Sequence, residues 1–167
     1  LEQLETTELT EMAQGTPHPA VYRELLGRGD VAPDAWTEAL AALAEARGES
    51  ETEALLHVLG ALGDGSEGLD ALSERLLGRD ADTLAQHRAR LRTLAGTGQS
   101  SVARQTGFAA LIAADGESTA VWELASTSRR GLHDFLNAVP RTDSTARVAV
   151  YDRVRSVISA LPGGLAD

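Results

Sequence analysis

The chain contains no cysteine among its 167 residues. It therefore forms no disulfide, offers no thiolate to zinc and has no attachment point for a covalently bound haem. Aromatic residues make up only 4% of the chain, while alanine and leucine are abundant, a composition that suits closely packed helices better than a β-sandwich or barrel. No apolar run is long enough for a membrane span, so we expect no membrane insertion.

Lysine is also absent, and all 15 basic residues are arginine, a bias typical of a GC-rich genome. The net charge of −10 is a poor match to DNA or RNA, whose binding depends on neutralising phosphates, so we expect no nucleic-acid partner. The charge is uneven: residues 1–70 hold 15 acidic residues and three arginines, whereas residues 71–167 hold 10 and 12. This asymmetry indicates either an electrostatic docking surface or a solvated acidic face.

One segment of the chain is repeated 68 residues later. Residues 40–50 (LAALAEARGES) return as residues 108–118 (FAALIAADGES). Half of that offset is typical of stacked helix-pair repeats, with one degenerate unit between the two visible ones. The repeat predicts an all-α fold, a right-handed α-solenoid of stacked antiparallel helix pairs, that spans residues 1–167 as a single domain. The start of the chain, LEQL, has neither an initiator Met nor a signal pattern and predicts a fragment of a longer protein.

The apolar residues follow the 3.6-residue period of helices, and the breaks between runs carry Gly, Pro or capping residues. Ser50 and Glu53 have capping-box spacing, and Ser100 is predicted to be a helix cap. Asp80 or Asp82 is predicted to begin a single helix with an inward seam through residues 84, 87, 91 and 94. Other predicted helices cover residues 20–26, 33–48, 68–77, 102–115, 128–140 and 142–161. The helix at 128–140 is expected to bury residues 132, 135, 136 and 139, and the helix at 142–161 has its apolar face at residues 150, 154, 157, 158 and 161.

Residues 102–111 (VARQTGFAAL) resemble HEAT/armadillo repeats. Residues 18–28 (HPAVYRELLGR), with residues 104–125 and 136–140, are similar to the HEAT-repeat region of large exported bacterial haem-binding proteins. In those proteins a propeller-type dehydrogenase-like domain, helical repeats and a c-type cytochrome domain lie in one chain. The resemblance covers about residues 18–161 and implies an extracytoplasmic, periplasmic connector. It does not carry over the haem chemistry, because this chain lacks the Cys-x-x-Cys-His motif.

No motif in the chain predicts catalysis, a metal site or a cofactor. Residues 63–68 (GDGSEG) match the letters of a dinucleotide-binding loop but follow a helix, so a helix-ending turn is the better interpretation. The four histidines do not pair at metal-ligand spacing on one helix face.

Two groups of residues are candidates for an interaction surface. Arg88 and Arg92 lie one helical turn apart, at a spacing that suits clamping a carboxylate or phosphate. The alternative is that they pair with acids nearby in the sequence, such as Glu74, Asp80 or Asp82. In the acidic half, three carboxylates are expected on an exposed face, namely Glu49, Glu51 and Glu53.

The sequence therefore predicts a non-enzymatic helical-repeat scaffold whose partners are proteins, either its flanking domains or another subunit. By resemblance, it connects or docks redox domains outside the cytoplasm. One alternative is a HEAT-like enzyme with a concave catalytic surface, comparable in architecture to HEAT-like DNA glycosylases, against which the negative charge argues. The other is a cytoplasmic adaptor that binds a peptide along its groove.

Overall fold

A computed structural model describes residues 4–15 and 18–160, and within those residues all regular secondary structure is helical. The all-α prediction is confirmed. A 3₁₀ turn (Val139–Arg141) precedes the last helix. The α-helices are α1 (Thr6–Gly15), α2 (Pro19–Leu26), α3 (Pro33–Arg47), α4 (Glu51–Ala61), α5 (Leu69–Leu77), α6 (Ala81–Gln86), α7 (Arg88–Thr97), α8 (Ser101–Asp115), α9 (Thr119–Ala125), α10 (Arg129–Ala138) and α11 (Ser144–Ala160).

The sequence repeat corresponds to a repeat of local structure. Helices α3 and α8 are both 15 residues long, and both their first and their last residues are 68 positions apart. Each ends at a glycine in the left-handed conformation, Gly48 with φ of 64° and Gly116 with φ of 67°. Glycine is favoured there because a side chain would be strained at that φ.

The predicted helix caps are present. The Ser50 hydroxyl accepts from the Glu53 N–H at 3.2 Å, and the Glu53 carboxylate accepts from the Ser50 N–H at 3.0 Å, which completes the capping box. Ser100 caps α8 by accepting from the backbone N–H of residue 103 at 3.1 Å. Of the two aspartates considered for α6, Asp80 is the cap, accepting from the N–H of residue 83 at 2.8 Å.

The single helix predicted across residues 84–94 is wrong, because the chain breaks at His87 into α6 and α7. His87 has φ of −103° and ψ of 16°, and its N–H bonds to the carbonyl of Leu84 three residues back. Leu84 and Leu91 are both fully buried, and α6 and α7 both pack on α8. Because of the break, two short helices pack along α8 in place of one straight helix. His87, at the break, is only half-buried.

Two predictions for the C-terminal helices also need correction. Leu136, expected inside, is 41% exposed, and the last helix begins at Ser144 rather than at residue 142. Leu161, placed on its inner face by the sequence pattern, lies outside the described residues. Phe135 is buried as expected and stacks edge-on with Phe108, their ring centroids 5.9 Å apart.

Helix α8 is the centre of the packing, in contact with α5, α6, α7, α9 and α10. Helices α7 and α8 pack so closely that residue 107 must be glycine, because a Cβ there would lie 2.6 Å from the backbone nitrogen of Ala95. Beside this pair, α4 packs against both α5 and α7, and α2 lies between α1 and α3. The apolar interior is continuous from Leu9 in α1 to Val150 in α11.

Candidate interaction groove

Two of the three candidate glutamates lie in a cluster of charged groups at the start of α4. Glu49 accepts from Arg47 Nε at 2.6 Å, and Glu53 lies 3.0 Å from Arg90 Nη2 on α7. Arg90 also lies 3.8 Å from Glu49. Arg47 donates to Nδ1 of His57 at 3.3 Å, since guanidinium has no acceptor. We call these five residues the ionic cluster.

The expectation of exposed glutamates agrees with Glu51, whose side chain is 43% exposed, but not with Glu49 or Glu53. The Glu49 side chain is only 11% exposed, and every one of the three glutamates has an arginine partner. Glu51 lies outside the ionic cluster and pairs with Arg79 at 3.0 Å. Because these carboxylates are compensated within the fold, they contribute less to a long-range negative field than their formal charges indicate.

Of the two arginines predicted as a clamp, Arg88 already has a carboxylate partner within the fold. Arg88 Nε donates to the Asp115 carboxylate at 2.6 Å, across to the end of α8, while Arg92 lies on an exposed face. The expectation of ion pairing is right for Arg88, but the partner is not among the acids considered from the sequence. Asp115 is 27 residues away, so no local spacing reveals the pair.

A groove of about 410 Å³ runs between α4 and α7, with the ionic cluster at one end. Its floor is apolar and includes the buried Leu56 and Leu94. Gly60 lines the groove and has no side chain to fill it. A Cβ added there would meet only Leu94 Cδ1, at 3.7 Å, so the groove has open space at this position. The polar groups that also line the groove come from His57, Arg90, Thr93, Thr97 and Gln99.

The surroundings at that end lower the pKa of two groups. Hydrogen bonds from the Ser50 N–H and hydroxyl, with the nearby charge of Arg90, lower the pKa of Glu53. Partial burial and the adjacent Arg47 lower the pKa of His57, so its ring is neutral at pH 7. Because Nδ1 accepts from Arg47, the proton of the neutral ring is on Nε2, which remains a hydrogen-bond donor.

The glycine-rich loop of residues 63–68 is the helix-ending turn that the sequence favoured. Its Asp64 carboxylate accepts from the Ser101 N–H at 2.9 Å and from the Ser101 hydroxyl at 3.0 Å, and these bonds lower the pKa of Asp64. The loop therefore holds the start of α8. Among the described residues no three histidine or acidic side chains are arranged to hold a metal ion.

Within the described part of the chain, no helix is both long and apolar enough to cross a membrane. Searches of protein-family models, curated proteins and solved structures gave no match to this chain. The resemblance to the HEAT-repeat region of exported haem-binding proteins accordingly stays a prediction, as do its compartment and its redox context.

Sequence reasoning missed Arg90, the residue that joins the two helices of the groove. It lies 37 positions after Glu53, and in the sequence it is one of three arginines at alternate positions between 88 and 92. Only the packing of α4 against α7 distinguishes it from its neighbours. A pattern of helical periods places Arg90 on a surface but does not say which surface faces α4.

Proposed function

We propose that this chain is a non-catalytic helical-repeat domain that binds a segment of a partner protein in the groove between α4 and α7. The observation that carries the proposal is the combination of an apolar floor, a polar rim and two charged or polar side chains, Arg90 and His57, at one end. Grooves between helices of this kind accept peptide segments by burying apolar side chains and orienting them with polar contacts.

The proposal includes an α-solenoid of antiparallel helix pairs in a right-handed superhelix. Its support is that α4 and α5 pack together, α7 and α8 pack together, and the pairs meet with α4 against α7 and α5 against α8. Helices α3 and α8 have the same length and lie 68 positions apart, which further supports a repeated structural unit. In a solenoid, stacked pairs form extended binding surfaces along one side.

The donors at the end of the groove indicate what the segment carries. The Arg90 side chain is 50% exposed although it lies 3.0 Å from Glu53 and 3.8 Å from Glu49, so of the five N–H groups of its guanidinium some remain within reach of a ligand. The Nε2–H of His57 is a second donor beside it. We therefore propose a segment in which an acidic side chain lies next to small aliphatic ones, the former at Arg90 and the latter over Gly60.

The wider role, a connector or docking domain between redox domains outside the cytoplasm, belongs to the same proposal and rests on the sequence resemblance. The parent gene tests this part directly. A signal peptide and a flanking Cys-x-x-Cys-His motif support it. If the parent gene encodes neither feature, a cytoplasmic adaptor that binds its peptide in the same groove is the better interpretation.

A displayed library of random peptides tests the groove without knowledge of the natural partner. Peptides selected on the unmodified domain are expected not to bind the Gly60→Leu variant, in which the leucine fills the groove. They should bind the Arg90→Ala variant with lower affinity. The matched control is Gly96→Leu, at a helical glycine of α7 outside the groove, where an added Cβ would meet nothing within 4 Å. Peptides that bind Gly60→Leu as well as the unmodified domain would contradict the proposal.

A further inference from the structure

A second cavity, of about 740 Å³, adjoins the α4–α7 groove and lies between α2 and the loop of residues 63–68. Two of its lining residues, Ala61 and Gln99, also line the groove, so the two spaces meet at the C-terminal end of α4. The junction has room for a chain, because Ala61 carries only a methyl group and a Cβ added at the nearby Gly63 would meet nothing within 4 Å. We call this space the α2 cavity.

The residue shared by the two spaces, Gln99, has a fixed backbone and an available side chain. Its backbone N–H donates to the Gly60 carbonyl at 3.3 Å, which ties the loop after α7 to α4. Its side chain is exposed, and in the part of the chain that the structure describes the amide makes no hydrogen bond. A side-chain amide offers both a donor and an acceptor, which complement the two polar groups of a peptide bond. Gln99 is therefore placed to bond the backbone of a segment that passes from one space to the other.

Four charged side chains line the α2 cavity, and two of them already form a pair. Arg28 lies 3.3 Å from Glu24 within α2 and the turn that follows it. Arg23 and Glu67 are both exposed, and neither has an ion-pair partner among the described residues. The cavity therefore presents one uncompensated charge of each sign to a ligand.

Arg23 also lies close to the groove itself. Partial burial lowers the pKa of His57 most, and the charges of Arg47, Arg23 and Arg90 lower it further, against the opposing charge of Glu49. Charges near a protein surface act over about 10 Å before salt screens them, so the Arg23 guanidinium is within that distance of the His57 ring. A segment that leaves the groove toward α2 therefore meets Arg23.

We propose that the α2 cavity extends the peptide-binding site, an inference that rests on the function proposed above for the α4–α7 groove. The partner segment passes over Ala61 with its backbone bonded to the Gln99 amide. It then enters the α2 cavity with two charged side chains, an acidic one at Arg23 and a basic one at Glu67. The groove alone selects an acid beside aliphatic residues, whereas the extended site selects that pattern together with a pair of opposite charges. Such polar contacts contribute more to the choice of partner than to affinity.

Peptides of two lengths test the extension. A short peptide selected on the unmodified domain is lengthened by a randomised flank at either end and selected again, and one flank is expected to acquire an acid and a base. Arg23→Ala and Glu67→Ala should each weaken the resulting long peptide by about two- to fivefold, the range of an exposed ion pair. Both variants should leave the short peptide nearly unchanged, which also shows that they are folded. Fluorescence anisotropy of labelled peptides measures the dissociation constants.

Charge reversal gives a sharper result. Arg23→Glu should weaken the long peptide more than Arg23→Ala does, and a long peptide with its acid replaced by lysine should bind Arg23→Glu better than it binds the unmodified domain. The matched control is Arg92→Glu, which makes the same charge change at an exposed arginine of α7 outside both spaces. This control should discriminate between the two long peptides as the unmodified domain does.

The outcomes distinguish a failure of the extension from a failure of the groove. A short peptide that binds Gly60→Leu as well as the unmodified domain contradicts the groove and the extension together. A short peptide that needs the groove, combined with selected flanks that have no charge pattern, overturns the extension alone. The extension is also overturned if Arg23→Glu affects the long peptide no more than Arg92→Glu does, because the effect of Arg23 is then only its contribution to the overall charge.

Discussion

Arg104 and Asp134 form a buried ion pair, with Arg104 Nε 2.6 Å from Asp134 Oδ2 and the two side chains 10% and 2% exposed. Arg104 also donates to the carbonyl of Gly98 at 2.9 Å. One guanidinium therefore joins α8, α10 and the end of α7. The pair is not visible in the sequence, where Asp134 follows the exposed His133 and Arg104 lies 30 residues earlier among residues as polar as Gln105 and Thr106.

Removing one partner of this pair is expected to be costly. Asp134→Ala leaves a buried guanidinium without its counter-charge and should lower the free energy of unfolding by about 3–5 kcal/mol. The double variant Arg104→Met with Asp134→Leu should recover much of that loss, since it buries no charge. Urea unfolding curves measure both, and a loss below about 1 kcal/mol for Asp134→Ala would contradict the buried pair.

Substitution of alanine for two helical glycines, Gly60 and Gly107, is expected to change stability in opposite directions. Gly60→Ala should stabilise the fold by up to about 1 kcal/mol, because alanine favours a helix and the new Cβ makes only an ordinary contact. Gly107→Ala should destabilise it by about 1–3 kcal/mol, because its Cβ would overlap the backbone of Ala95. Thermal unfolding of the two variants compares them, and equal shifts would be inconsistent with the α7–α8 approach.

The capping box makes the Ser50 side chain more important for stability than that of the neighbouring Glu51. Ser50→Ala should cost about 1 kcal/mol, since it leaves a backbone N–H of α4 without its acceptor. Glu51→Ala, which removes a surface pair with Arg79, should change stability by no more than about 0.5 kcal/mol. Chemical denaturation distinguishes the two, and a larger effect for Glu51→Ala would refute this ranking.

His57 is expected to make stability depend on mild acid. Its pKa is lower in the folded state than in the unfolded chain, so the unfolded state binds more protons as the pH falls below about 6.5. Stability should therefore decrease from pH 7.5 to 5.5, and His57→Gln should reduce that decrease while leaving the stability at pH 7.5 nearly unchanged. Urea midpoints at both pH values provide the measurement. An identical pH dependence in the variant would show that the ring is not perturbed.

Local sequence signals determined the helices well. The left-handed glycines at 48 and 116, the capping box at Ser50 and the cap at Ser100 each act within a few residues, so spacing alone predicts them. The break at His87 escaped prediction because it depends on two helices following α8. The same apolar period is compatible with one straight helix.

Local sequence signals did not predict the contacts between residues that are far apart in the chain. Arg88 meets Asp115, Arg90 meets Glu53 and Arg104 meets Asp134, each 27 or more residues apart. The candidate acids were consequently expected in solvent, although two of them lie in the ionic cluster. The groove depends on the packing of α4 against α7, which no single helix encodes.

The most direct test of peptide binding in the α4–α7 groove is a map of amide chemical shifts on the isotope-labelled domain when a selected peptide is added. Binding there predicts that the largest changes fall on residues 56–61 and 90–99, and that they disappear in Gly60→Leu but persist in Gly96→Leu. Changes centred elsewhere, or unaffected by Gly60→Leu, would contradict the groove as the binding site.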